Sequence, residues 1–134
     1  MHTKTLALLF SGLGVLCAAA PTVAHHSFSA EFDENRPLVL TGAVTKIEWF
    51  NPHVWFFVDV TDESGDVTNW GWEMGSPNLL TRSGWKNSSM QIGDVVRIEG
   101  SGATDGSNNG NARFIVSTST GERLFAGSSQ SQNR

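Results

Sequence analysis

Thiols are almost absent from this chain. Its one cysteine, Cys17, lies in an apolar N-terminal run, so no intrachain disulfide can form and no thiolate cluster can hold zinc or iron–sulfur. Cationic side chains are also scarce. Nine Lys and Arg stand against 13 Asp and Glu, for a formal net charge of −4, and both signs are scattered singly. Nucleic-acid binding needs clustered Lys and Arg to neutralise phosphates, so that class is excluded. Beyond the N-terminus there is no second run of about 18 apolar residues, which excludes a transmembrane helix in the remainder. No G-x-S-x-G motif occurs, no histidine is spaced like a known triad, and Asp59, Glu73 and Asp94 stand as singletons without paired-carboxylate logic. No enzymatic activity is expected.

What is present starts with an export signal. Lys4 supplies a positive n-region, residues 6–20 an apolar core, and Thr22-Val23-Ala24 a small-residue cleavage site. Residues 1–24 are therefore expected to be removed, leaving a periplasmic or secreted protein. Leu16 stands before Cys17 where a lipobox needs a small residue, so soluble export is favoured over lipid anchoring. Loss of Lys4 makes the mature chain one unit more acidic. Cleavage also makes His25 the first residue, with His26 behind it.

Residues 25–126 read as one domain with an N-terminal arm, and the Ser- and Gln-rich stretch 127–134 as a disordered tail. Pro37 opens a strand over 38–50, with Leu38, Leu40, Gly42 and Val44 on one face. The apolar phase slips at Lys46-Ile47, which predicts a β-bulge. Asn51-Pro52 marks a turn. A strand over 53–60 places Val54, Phe56 and Val58 on one face and His53, Trp55 and Phe57 on the other. The polar loop 62–66 leads to a strand over 67–74, with Trp70, Trp72 and Met74 on one face. Ser76 followed by Pro77 starts a short helix ending before Gly84, and Trp85 and Met90 are expected to cover the end of the domain. A fourth strand spans 95–100, a flexible loop 101–111 and a fifth strand 112–118, with a final apolar pair, Leu124-Phe125. Three strands, a short helix and two strands is the order of an all-β, small five-stranded OB-like barrel with one short helix between strands three and four. Its expected core is Val54, Phe56, Val58, Val96, Ile98 and Ile115, with Phe114 or Val116.

The segments HHSFSAEFDENRPLVLTGAVTKIEWFNPHVWFFVDV, WEMGSPNLLTRSGW, IGDVVRIEG and DGSNNGNARFIVSTSTGERLFAG resemble a family of exported bacterial proteins known only as a domain of unknown function. The resemblance covers essentially the whole mature chain. It implies the same exported β-domain and brings no activity with it.

Function must then come from individual residues. An α-amino group, the His25 imidazole and the His26 imidazole form a nitrogen chelate suited to copper, zinc or nickel. His53 begins the second strand, and the hairpin is expected to bring it near Met74. Imidazole with thioether suits Cu(I), and Trp55 or Trp72 would cap the ion. The set His25, His26, His53 and Met74, with copper as cofactor, is similar in kind to the small periplasmic OB-fold copper and silver chaperone. That protein supplies two methionines, whereas here only Met74 is well placed. The N-terminal histidines also resemble the copper brace of oxidative polysaccharide enzymes, but those are larger sandwiches. Asp105 to Gly110 lacks the alternating carboxylates of a calcium loop and reads as a turn. The competing reading is a metal-free OB-type module that binds a small molecule or another periplasmic protein. In it, Trp70, Trp72 and Met74 are simply core.

Overall fold

The computed structural model describes residues 28–128. The expected export signal with Cys17, the expected ligands His25 and His26, and residues 129–134 of the expected tail lie outside the described residues. A single helical turn, α1 (Phe28–Glu31), opens the described chain. Then come β1 (Phe32–Glu48), β2 (Trp55–Thr61), β3 (Val67–Glu73), α2 (Pro77–Arg82), β4 (Val95–Ala103), β5 (Asn109–Ser117) and β6 (Arg123–Phe125). Among these residues no helix is long and apolar enough to cross a membrane.

The pairings run in a circuit. β1 lies between β2 and β4, β2 pairs with β3, and β4 pairs with β5, all antiparallel. A short parallel ladder then sets Gly71–Glu73 against Asn109–Asn111 and joins β3 to β5. Each of the first five strands thus has a partner on both sides, as in the five-stranded OB-like barrel. β6 adds a sixth, three-residue strand beside β5, built from the apolar pair Leu124-Phe125. The expected bulge is present, with a register shift between Val44 and Lys46. It lets one long strand serve two neighbours in a curved sheet.

Alternation decides what is inside. Val54, Phe56, Val58, Val96, Ile98 and Ile115 are buried as expected, whereas Phe114 and Val116 are only half-buried. Ser76 caps α2, its Oγ accepting from Leu79 N at 3.3 Å, and Pro77 takes the first helical position. α2 delivers Leu80 to the core, and Trp85 and Met90 close that end. Trp85 Nε1 donates to the Phe125 carbonyl at 2.7 Å.

The segment 101–111, expected as a flexible loop, is mostly strand. β4 runs on to Ala103 and β5 starts at Asn109. Gly110 within the segment, and Gly100 just before it, stay small because the Trp72 ring presses against both. A Cβ on Gly110 would sit 2.5 Å from Trp72 Cζ3. Packing continues past the expected domain end, since Gly127 and Ser128 are both buried.

Candidate functional site

The β2–β3 hairpin presents two faces. In register, Phe56 faces Trp72, Val58 faces Trp70 and Trp55 faces Glu73. Because side chains alternate, Val54, Phe56 and Val58 go inward with Trp72 and Met74. His53, Trp55 and Phe57 go outward with Glu73. The structure therefore corrects the expected His53–Met74 pair. Met74 is fully buried in the core, its N–H donating to the Val54 carbonyl, on the opposite face of the sheet from His53. Trp72 is likewise fully buried and cannot cap an ion on the outer face. Trp55 shares the His53 face and is half-buried.

What His53 meets instead is a carboxylate. His53 Nδ1 donates to Glu73 Oε1 at 2.7 Å, with the imidazole 42% exposed and the Glu73 side chain only 7% exposed. The hydrogen bond fixes the ring and leaves Nε2 as the nitrogen not engaged with Glu73. It is also the main cause that raises the His53 pKa above its ordinary value. Burial acts against it, and the charges of Glu73 and Glu31 add to it.

The influence of Glu31 brings α1 into the picture. β1 runs back along β4 as far as Phe32, opposite Ala103, and Thr104 N donates to the Glu31 carbonyl at 2.9 Å. The turn is thereby fastened to the loop between β4 and β5. A cavity of about 370 Å³ opens there, lined by Ala30 and Glu31 from α1, Trp55 from β2, and Thr104 and Asp105 from the loop. The outer face of strands two and three, framed by that loop, is where OB folds bind ligands. Within the described residues no three His, Cys, Asp or Glu side chains converge as a metal cage. His53 is thus the one nitrogen ligand that the described chain offers to this face.

Sequence reasoning put His53 and Trp55 on one face, as the structure does, but missed Glu73 and Glu31; His25 and His26 lie outside the described residues. Glu73 was legible in principle. A hairpin closing Thr61 on Val67 sets it opposite Trp55, on the same face as His53.

The chain belongs to the DUF6152 family, a family of unknown function, whose model matches residues 13–112. No curated protein matches it.

Proposed function

We propose that this DUF6152 protein is an exported metal-binding module in which His53 holds copper, or another transition metal that prefers nitrogen, through Nε2. One observation carries the reading. A nearly buried carboxylate, Glu73, accepts a hydrogen bond from Nδ1 of a partly exposed imidazole. Metal-bound histidines almost always donate their second ring N–H in this way, which fixes the tautomer and raises the basicity of the ligating nitrogen.

The remaining ligands come from the chain start. With cleavage after Ala24, His25 carries a free amine and an imidazole, and His26 adds a second imidazole. Three residue steps lead from His25 to Phe28, a reach of about 10 Å in extended chain, and α1 is fastened beside the His53 face. An all-nitrogen set of this kind favours Cu(II) over the other divalent ions of the first row. Met74 has no part in it.

The second reading, a metal-free module, rests on the cavity beside Trp55, which has an aromatic wall and polar loop residues suited to a small ligand. Equilibrium competition separates the two. Titrated with Cu(II), Cu(I) and Zn(II), the chain beginning at His25 should bind Cu(II) most tightly, and His53→Ala should weaken it by about tenfold or more. Unchanged affinity in that variant removes His53 from the site and leaves the metal-free module as the better account.

A further inference from the structure

The cavity beside Trp55, about 370 Å³, falls within the range of roughly 300–1,000 Å³ usual for small-molecule sites. Its wall exists because β3 carries no side chain at Gly71. Gly71 shares the outer face of the hairpin with Glu73 and stands opposite Phe57. A Cβ there would sit 2.5 Å from Asn109 Oδ1, so the bare position admits Asn109 onto that face. Gly71 N donates to the Asn108 carbonyl at 3.0 Å, which ties the β4–β5 loop down beside Trp55. On the α1 side, Thr104 Oγ1 donates to the Ala30 carbonyl at 3.2 Å. Along the rim, Ser107 N donates to Asp105 Oδ1 at 2.9 Å, and Asn109 Nδ2 to Ser107 Oγ at 3.1 Å. The polar rim is therefore held in place before a ligand arrives, which lowers the ordering cost of binding.

The aromatic wall is unused. Trp55 is half-buried, yet among the described residues it pairs with no Phe or Trp ring and carries no cation, unlike Trp70, Trp72, Phe57 and Phe114. The other lining groups are mostly polar, with Glu31, Thr104, Asp105, Ser107 and Asn109, and none of the described lining residues is Lys, Arg or His. The Ser107 hydrogen bond is the main cause that holds the Asp105 carboxyl below its ordinary pKa, so the wall is negatively charged. Nucleic acid would also stack on Trp55, but its phosphates are repelled here. A simple organic cation would find a ring and carboxylates. The Arg36 charge felt at Asp105 opposes it, and the hydroxyl and amide groups of Thr104, Ser107 and Asn109 have nothing to offer it that water does not.

We propose that this cavity binds a neutral saccharide, with the flat C–H face of a pyranose ring on Trp55 and its hydroxyls on Asp105, Ser107 and Asn109. A pyranose with equatorial hydroxyls divides its surface as this cavity does. Its faces are apolar and suit an indole, and its rim both donates and accepts hydrogen bonds. An ionised carboxylate accepts the strongest of these. The inference rests on the metal-free reading for its site and names the ligand class of that site. It needs no metal at His53.

The test is a heteronuclear NMR titration of the chain beginning at His25, in EDTA so that no metal contributes. The probes are cellotriose, triacetylchitotriose, mannitol, tetramethylammonium and a thymidine tetranucleotide. At least one trisaccharide should shift the Trp55 indole N–H and the Asp105, Ser107 and Asn109 amides saturably. Mannitol has the hydroxyls without a ring face, and it should leave these resonances unmoved, as should the cation and the nucleotide. Trp55→Leu should weaken saccharide binding by about tenfold or more, because a sugar face of roughly 50 Å² loses its aromatic cover. Trp55→Phe should restore most of the affinity. An amide spectrum unchanged away from the cavity checks that each variant is folded, and the wild-type shifts locate the site without either variant. No saturable shift with either trisaccharide up to about 10 mM, shifts that lie outside the cavity, an equal response to mannitol, or a response to the cation or the nucleotide would each overturn the assignment. Such a failure leaves the metal reading standing, since Cu(II) competition decides that separately.

Discussion

Replacing Glu73 by Gln removes a charge and little else. The amide oxygen can still accept from His53 Nδ1, so the variant isolates the electrostatic part of a 2.7 Å contact. A hydrogen bond with a charged partner contributes about 1.5–3 kcal/mol in a protected setting. Here the imidazole is 42% exposed, and solvent screening brings the figure to about 1 kcal/mol. In a domain of this size that lowers the thermal midpoint by roughly 4–8 °C. The pH dependence has a definite sign. Glu73, by its hydrogen bond first, raises the His53 pKa, so the folded chain holds that proton more tightly than the unfolded chain does. The stabilisation is fully present below the unfolded value, about 6.5, and fades as pH rises through the higher folded value. Thermal melts of wild type and Glu73→Gln between pH 5.5 and 9 should therefore show their largest gap at the acid end. Proton titration by NMR should find the His53 pKa lowered in the variant. A gap that is constant with pH, or that widens toward pH 9, refutes the reasoning.

Other substitutions test the packing. Met74→Leu conserves volume in the core, so it should cost less than about 1.5 kcal/mol in urea denaturation and leave metal affinity unaltered. Trp85→Phe removes the Nε1 donor to the Phe125 carbonyl and should cost about 1–3 kcal/mol by the same assay. Gly100→Ala should prevent stable folding, or cost about 3 kcal/mol or more by circular dichroism melts, because its Cβ would lie 2.1 Å from the Asn111 carbonyl oxygen.

The legible parts of the sequence were those where one local rule acts alone. Alternation in Val54, Phe56 and Val58 marks an inward face, and Ser76-Pro77 marks a helix start whatever surrounds them. The stretch 101–111 was misread because Gly, Ser and Asn signal a loop by their own preferences. Here Trp72, far away along the chain, leaves no room for a Cβ at Gly110 within a strand. The error over Met74 has a different origin. The faces of β2 and β3 were each assigned correctly, but the pairing register that sets Trp55 opposite Glu73 and Phe56 opposite Trp72 was not applied to them together. Proximity along the hairpin was mistaken for a shared face, and that hid the carboxylate behind His53.

The central claim is that His53 Nε2 binds the metal while Nδ1 stays with Glu73. Nitrogen NMR of the chain beginning at His25, followed during addition of one equivalent of Zn(II) as a diamagnetic stand-in for Cu(II), tests it atom by atom. The account predicts that the His53 Nε2 resonance moves to a metal-bound position in step with the added ion, and that Nδ1 keeps its proton. Full binding of one equivalent with both His53 nitrogens unmoved contradicts it.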